Sequence, residues 1–392
     1  MKWNNRFIRF LWVINISLGL IFTSLLSKTI ALPPIFTYST YFIFIIMAMV
    51  KPKSLFYSVF PYIILFFTFL SSFMGGFNGL KGAMIFNFIT FATVAAAAKS
   101  DVFDDFKAFF YYYFYGLGTL IFASIILVVA GVKTQPFTGM YMVQTSHGIP
   151  TVIYGLFSDK NLYGLINGVI LLVIFLLKDF RWRKPLLYVL FVFVVLSGSR
   201  SGMVSSVLCM VYFNFLNRDR PLSKRMSSTL FYMIIIGIGY YVWDHSFLNI
   251  RGGSLAGRDE FWEAAKPFVR SHFWFGIGRA FLVDGAYLPL HNLYAQLLVE
   301  EGFLCMMVYI FFFIYLLFIT PIECQVLLLY FMIFTALNPI LVPGQLADLA
   351  AATIVGRYIH KLNREDFTTL RRPWFLHKHA ALPVSAEAPA VA

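Results

Sequence analysis

The stretch NLYGLINGVILLVIFLLKDFRWRK, residues 161–184, decides the fold class of this chain. Residues 161–177 carry no charged side chain. A run of this kind is close to the length of about 20 mostly apolar residues that crosses a bilayer as a helix. The segment that follows contains Lys178, Arg181, Arg183 and Lys184. Because basic clusters beside a span mark its cytoplasmic end, this stretch predicts a transmembrane helix that ends at the cytoplasm.

The composition extends this interpretation to the rest of the chain. Of the 392 residues, 60% are hydrophobic and only 12% are charged, whereas a soluble domain carries roughly 25% charged residues. The first apolar run lacks a small-residue cleavage site after it, which predicts a retained helix rather than a signal peptide. We therefore expect an all-α polytopic membrane protein with about 12 transmembrane helices in one membrane domain, residues 1–358. The expected spans are 7–26, 35–50, 54–75, 82–98, 108–131, 161–177, 185–197, 202–217, 228–243, 303–319, 324–342 and 345–358.

The basic residues predict the orientation. With the N-terminus inside, about two thirds of the 31 lysines and arginines fall on cytoplasmic segments, which favours an N-in, C-in topology. Residues 244–292 then form an outer loop, and residues 359–392 form a cytoplasmic tail whose composition is typical of disorder. The net charge of +13 is scattered in short clusters between apolar runs. This pattern indicates topology signals and contact with anionic lipids, and we expect no nucleic-acid partner.

The sequence contains no recognisable metal or cofactor motif. Cys209, Cys305 and Cys324 lie in or beside apolar runs without C-x-x-C spacing, so we expect them to be buried and unpaired. There is no D-x-D, H-E-x-x-H or P-loop pattern. We therefore expect neither a metal ion nor a cofactor.

The phrase LSGSRSG, residues 196–202, places Arg200 between two apolar runs. Glycine and serine let the backbone turn tightly and leave N–H groups free at the start of the next helix. An anion can bind there against the helix dipole, and a guanidinium adds bidentate contacts. We expect Arg200, with a weaker contribution from Ser199, to bind an anionic group. The alternative is an arginine that extends its head group to the membrane interface.

Two further phrases lie in the outer loop. AGRDEFWEAA predicts that a helix starts near Arg258, because acidic residues occupy its first turn and alanines follow. With the aromatic residues of FWFGIGR, this predicts a short amphipathic helix on the outer leaflet, and Arg279 is a weaker anion-binding candidate. The alternative for Arg258 is a surface ion pair with Asp259 or Glu263.

The phrase LPLHN places His291 at the start of a polar entry to the tenth span. A neutral imidazole can act as a general base near neutral pH, and His291 is the strongest candidate on the outer side. Asn292 can hold a sugar or the loop backbone. Glu300 is nine residues later, about 180° away on a helix, so helix geometry alone does not pair it with His291. An interfacial helix cap is the alternative role for His291.

The phrase SDKNLYG, residues 158–164, places Lys160 just before the sixth span. Lys160 is a weaker candidate for binding a diphosphate or an acceptor. A solvated loop is the alternative interpretation of this segment.

Taken together, LSGSRSG, AGRDEFWEAA, FWFGIG, SDKNLYG and LPLHNLYAQLLVEEG resemble the bacterial O-antigen ligase and polysaccharide polymerase family, mainly over residues 155–303. The resemblance implies a metal-independent glycosyltransferase of the bacterial inner membrane, with its active site open to the periplasm. It implies a glycan donor on undecaprenyl diphosphate. The acceptor is lipid A-core in a ligase, our first expectation, and a second lipid-linked glycan in a polymerase. By motif, Arg200 and Arg258 bind the donor diphosphate and His291 activates the acceptor hydroxyl.

Two other functional classes remain open. A flippase for a lipid-linked saccharide could hold the same diphosphate in a basic outer vestibule. Such a protein would expose a cationic path to both leaflets, whereas the spans here contain almost no charged residues. A non-catalytic scaffold of an envelope assembly complex would not need His291.

Overall fold

A computed structural model describes residues 56–75, 88, 91–96, 98, 118–119, 121–134, 142–146, 149–156, 160–178, 180–216, 222–223, 226–227, 230, 258–278, 281–283, 286–287, 290, 292–337 and 343–364. The spans expected at 7–26 and 35–50 lie outside these residues, as does the span at 228–243 except for residue 230. Arg279, His291 and the chain beyond Arg364 also lie outside them.

Helices dominate the described residues, so the expected helical class is confirmed. The chain forms α1 (Phe60–Met74), α2 (Lys160–Leu176), α3 (Arg183–Leu196), α4 (Arg200–Leu216), α5 (Arg258–Ser271), α6 (Leu293–Glu300), α7 (Gly302–Ile319), α8 (Ile322–Leu337) and α9 (Pro343–Arg364). Residues 91–96 and 121–129 are also helical. Two small antiparallel hairpins, which the sequence analysis did not predict, pair β1 (Val143–Ser146) with β2 (Ile149–Ile153) and β3 (Leu282–Val283) with β4 (Ala286–Tyr287).

The observed helices coincide with the apolar runs. Helices α2, α3, α4, α7 and α8 begin within two residues of the expected starts of their spans. Among the described helices, Gly302–Ile319 alone is long and apolar enough to cross a membrane by length and composition. Phe60–Met74, Tyr163–Leu176 and Ile322–Ala336 are shorter apolar helices. The total of about 12 spans and their orientation stay predictions.

Helix α9 is longer than the sequence analysis expected. It continues to Arg364, so residues 359–364 are helical although the tail was expected to begin at 359. The polar residues of this last turn have partners on other helices. Asn363 donates from Nδ2 to the carbonyl of Leu176 at 3.0 Å and to Oε1 of Glu323 at 3.1 Å. These contacts extend the helix beyond its apolar part.

Helix α8 lies at the centre of the bundle, because it packs against α4, α9, α7, α2 and α6. Its side chains Tyr330 and Phe334 are completely buried. The Tyr330 hydroxyl donates to the carbonyl of Leu165 at 3.0 Å, which ties α8 to the first turns of α2. The three cysteines, Cys209, Cys305 and Cys324, are buried and unpaired as expected.

Glycines allow α2, α4 and α8 to approach closely. A Cβ on Gly168 would overlap the Tyr330 hydroxyl, and one on Gly164 would overlap the Ser199 side chain. A Cβ on Gly202 would lie 3.0 Å from the Gly164 carbonyl oxygen. The four-residue spacing of Gly164 and Gly168 puts both on one helix face, and small residues so spaced are typical of close helix contacts in membranes.

The connections of the bundle define two ends. Tyr212, late in α4, donates to Oε1 of Gln325, early in α8, at 2.9 Å, so these helices are antiparallel. We call the end that contains the Ser197–Ser199 turn, residues 273–278 and the start of α6 the motif end. The opposite end contains Arg183, Glu323 and the last turn of α9.

Candidate active site

The LSGSRSG turn joins α3 to α4 through a glycine and a serine cap. Gly198 has φ +64°, a left-handed conformation that glycine adopts without steric cost. Ser199 precedes α4, and its Oγ accepts the N–H of Gly202 at 3.2 Å, which is the usual role of a serine N-cap. The turn therefore fixes the start of α4, and Arg200 is the first residue of that helix.

This geometry changes part of the sequence interpretation. The Gly202 N–H is bonded to the Ser199 cap, so it is not one of the free N–H groups expected at this helix start. Ser199 itself is only 2% exposed, because it packs against Gly164. Arg200, in contrast, has an exposed side chain. Anion binding by Arg200 and Ser199 stays a prediction.

Arg200 lies at the same height in the bundle as the start of α6. From the Tyr212–Gln325 contact, Arg200 is twelve residues back along α4, or about 18 Å at 1.5 Å per residue. The same distance forward along α8 reaches its last residue, Leu337. Near that end, Thr335 is hydrogen-bonded to the side chain of Tyr294, in the first turn of α6. The N-termini of α4 and α6 therefore lie beside the same end of α8.

Helix α5 begins at Arg258, as the AGRDEFWEAA phrase predicted. One face of the helix contains buried Ala265 and partly buried Phe268, whereas Glu263 and Lys266 on the other face are exposed and form an ion pair. The helix is therefore amphipathic as predicted, whereas its position on the outer leaflet stays a prediction. The structure describes the backbone of Arg258 but not its side chain, so its proposed contact with diphosphate stays a prediction.

The apolar face of α5 covers a second small core, apart from that of the bundle. This core contains Ala265, Ile277, Phe281, Leu290 and Val299. In addition, Trp262 donates from Nε1 to the carbonyl of Leu290 at 3.0 Å. The helix that starts at Arg258 is thus packed directly on the residue before His291.

His291 lies outside the described residues, but both of its neighbours lie within them. Asn292 is the N-cap of α6, and its Oδ1 accepts the N–H of Ala295 at 3.0 Å. The helix cap, which was one alternative for His291, is therefore Asn292. The Asn292 side chain thus holds the backbone of α6, and its expected contact with a sugar stays a prediction. Catalysis by His291 stays a prediction.

A hydrogen-bonded side-chain pair on α6, with Gln296 buried and Glu300 partly buried, connects to the residue before His291. Gln296 accepts the N–H of Leu290 at Oε1, at 2.9 Å, and donates from Nε2 to Oε1 of Glu300 at 2.7 Å. Glu300 Oε1 also accepts the N–H of Phe281 at 2.8 Å. We call these two side chains the Gln296–Glu300 pair. The unusual polarity of this span entry was the sequence signal for the pair. The backbone groups that the pair binds, on Leu290 and Phe281, could not be identified from the sequence.

The FWFGIG phrase forms a close junction between α1, α6 and α7. Ile277 and Gly278 donate their N–H groups to the carbonyls of Val299 and Glu300, both at 2.9 Å. Gly276 and Gly278 have φ of +66°, and a Cβ on either would overlap neighbouring backbone. This phrase therefore attaches the end of the α5 segment to the helix that follows His291.

Aromatic side chains surround this junction. Phe273 stacks on Phe303 with ring centroids 4.9 Å apart, and Trp274 contacts the same ring edge-on at 5.9 Å. Trp274 is 57% exposed. Exposed Trp and Phe at the end of an apolar helix are typical of the membrane–water interface.

The remaining candidates are less well defined. Lys160 is the first residue of α2, but its side chain lies outside the description, as does all of Arg279. Burial raises the pKa of Tyr294 to about 12, against a smaller opposing effect of its hydrogen bond to Thr335, so this phenol stays protonated at neutral pH. Among the described residues, no three His, Cys, Asp or Glu side chains form a group that could hold a metal ion.

The structure thus brings three sequence motifs to one end of the bundle: Arg200 at the start of α4, the helix that starts at Arg258, and the two neighbours of His291. Residues 185–310, about a third of the chain, match a protein-family model described as O-Antigen ligase. The match contains all three motifs, and the family implies ligase-type or polymerase-type activity. No curated protein matches the chain. Over residues 185–310, the chain is therefore similar to the O-antigen ligase family.

Proposed function

We propose that this protein is a metal-independent glycosyltransferase of the bacterial inner membrane. It moves a glycan from undecaprenyl diphosphate to lipid A-core at a site that faces the periplasm, which is the reaction of an O-antigen ligase. The observation that supports this proposal best is the position of the three motifs at one end of the bundle, inside the segment that matches the family.

The donor chemistry suits the arginines. In the transfer, the acceptor oxygen bonds to the anomeric carbon, and the bond from that carbon to the diphosphate oxygen breaks. The departing diphosphate gains negative charge, which Arg200 and Arg258 stabilise without losing a proton. The N-terminal ends of α4 and α5, where these arginines lie, add the positive ends of two helix dipoles.

The acceptor chemistry suits His291. A sugar hydroxyl is a weak nucleophile, so removal of its proton during attack lowers the barrier. In this scheme the neutral imidazole of His291 takes that proton. The proton leaves to solvent once undecaprenyl diphosphate has departed, and the enzyme returns to its starting state.

The test is the glycolipid profile of a strain that lacks the gene. We expect unmodified lipid A-core together with full-length polymer retained on undecaprenyl diphosphate. The wild-type gene should restore transfer, and a gene carrying His291→Ala should not. A single repeat unit on the core would instead identify a polymerase. Donor that accumulates only on the cytoplasmic face would identify a flippase.

The orientation has its own test. Two exposed lysines serve as positions for cysteine labelling: Lys266 in α5 and Lys178 at the opposite end. The three native cysteines are buried. We expect Lys266→Cys to react with an impermeant maleimide in intact spheroplasts and Lys178→Cys to react only after lysis. The reverse pattern would place the motif end in the cytoplasm and contradict the proposal.

A further inference from the structure

The residue before His291 is bonded through both of its backbone polar groups. The Leu290 N–H donates to Gln296, and the Leu290 carbonyl accepts from Trp262 of α5. On the other side, the Asn292 side chain caps α6 and the Asn292 carbonyl accepts the N–H of Gln296 at 2.9 Å. Both chain neighbours of His291 are therefore held by hydrogen bonds to α5 or α6.

The Gln296–Glu300 pair connects the segment before His291 to α6 and to the β3–β4 hairpin. The two residues are four apart and therefore lie on one face of α6. Gln296 is 6% exposed, so the Leu290 N–H that it accepts has little access to water as a substitute partner. Glu300 extends the connection to Phe281, at the start of the β3–β4 hairpin. One pair of side chains thus joins the segment before His291, the hairpin and α6.

We propose that Gln296 and Glu300 are positioning residues for the transfer reaction. Gln296 holds Leu290 and Asn292, the two neighbours of His291, and Glu300 holds Gln296; through these contacts the pair would orient His291 for the acceptor hydroxyl. Neither residue touches substrate in this account. The proposal rests on the proposed function, since it assumes that His291 is the general base.

The first experiment compares Gln296→Ala with Gln325→Ala in the full chain, reconstituted in liposomes. Gln325 is a matched control: its side chain also accepts one hydrogen bond and donates another, to the carbonyl of Thr320 at 2.8 Å, but at the opposite end of the bundle. The probes are an undecaprenyl-diphosphate-linked glycan and lipid A-core. We expect Gln296→Ala to lower kcat by about a hundredfold, the effect of misplacing a reacting group by 1 Å, with KM nearly unchanged. The kcat of Gln325→Ala should stay near that of wild type.

The second experiment is a double-mutant cycle that combines Gln296→Ala with His291→Ala. A purely structural role for Gln296 would not give the result expected here. If Gln296 acts through His291, adding Gln296→Ala to His291→Ala should lower the residual rate by less than threefold. A full additional loss would overturn the positioning role and leave His291 as the base. Near-normal turnover by His291→Ala alone would overturn both the base assignment and the positioning that depends on it.

A rescue variant guards against misfolding of Gln296→Ala. Gln296→Glu places two carboxylates together, and we expect it to lose activity. The double substitution Gln296→Glu with Glu300→Gln reverses the donor and the acceptor, and it can satisfy all three hydrogen bonds of the pair. We expect the double variant to recover at least tenfold over Gln296→Glu. Equal activities of the two variants would overturn the hydrogen-bonded pair as the positioning device.

Discussion

The two ends of the bundle each contain a carboxylate with a different set of partners. At the opposite end, Glu323 is hydrogen-bonded to Nδ1 of His360 at 2.8 Å and to Asn363, both on α9. At the motif end, Glu300 accepts the backbone N–H of Phe281 and the side chain of Gln296. Glu323 thus joins one helix to another, whereas Glu300 joins a helix to the loop before His291. The same residue type stabilises the bundle at one end and fixes the candidate site at the other.

This difference predicts which substitutions should lower turnover and which should lower stability. Changes of Arg200, Arg258 and His291 at the motif end should lower turnover with little effect on folding. Changes within the bundle and at the opposite end should lower stability with little effect on turnover per folded molecule.

The largest effect should come from His291. General-base help is worth about 10²–10⁴-fold, so His291→Ala should lower turnover by that factor. His291→Gln should behave the same way, because an amide can hydrogen-bond but does not take up a proton at neutral pH. The wild-type rate should fall at acidic pH, because protonation of the imidazole removes the base. Near-normal turnover by the Gln variant, measured with reconstituted protein, would assign His291 a positioning role only.

The second effect concerns the arginines at the starts of α4 and α5. Arg200→Lys and Arg258→Lys keep the charge but lose the planar bidentate fork. Loss of one charge-assisted contact is worth roughly 1.5–3 kcal/mol, or about ten- to a hundredfold in rate or affinity for the donor. Arg357→Lys is the control, because Arg357 donates to the carbonyl of Ala98 at 2.7 Å, far from the motifs. If both motif-end lysine variants equal the control in donor titrations, the arginines do not bind the diphosphate.

The third effect tests stability alone. Gly168→Ala forces a methyl group against the Tyr330 hydroxyl, and we expect a loss of about 1–3 kcal/mol. It should appear as a lower thermal unfolding temperature in detergent. Gly118→Ala is the control, since a Cβ there meets nothing within 4 Å, and alanine favours the helix slightly. Equal unfolding temperatures for the two variants would mean that the α2–α8 contact is not close.

The smallest effect should come from Glu323→Gln. The amide oxygen can still accept from Asn363, and the amide N–H can donate to Nδ1 of His360 in the tautomer that carries its proton on Nε2. We therefore expect a loss of stability of about 1 kcal/mol or less and no change in turnover. The measurement is thermal unfolding together with turnover per folded molecule. A tenfold drop in turnover would show that the opposite end takes part in the reaction and would remove the contrast between the two carboxylates.

Apolar runs predicted α2, α4 and α7 well, because burial in a bilayer and burial in a helix bundle both require apolar side chains. The β1–β2 hairpin was not predicted because it lies between the spans expected at 108–131 and 161–177, and apolar runs of helix length indicate only helices. Helix α9 extends beyond its apolar part because Asn363 has partners on two other segments. For α9, contacts distant in sequence decided the outcome.

The residues of the candidate site stay predictions, and the sequence indicated only part of the connections among them. Treating residues 291 to 300 as one helix set His291 and Glu300 on opposite sides. The helix instead begins at Leu293, and the connection to Glu300 runs through Gln296 and the backbone of Leu290. A backbone N–H is present at almost every residue, so no sequence pattern indicates which one a side chain will accept.

The most direct measurement uses purified wild-type protein in liposomes with an undecaprenyl-diphosphate-linked glycan, lipid A-core and an excess of metal chelator. The account predicts glycan transfer to the core with release of one undecaprenyl diphosphate per glycan transferred, at a rate that the chelator does not change. Transfer that stops on chelation and resumes with added divalent metal would contradict a mechanism based on arginine and histidine. Absence of any transfer while the same liposomes move the donor across the bilayer would contradict glycosyl transfer itself.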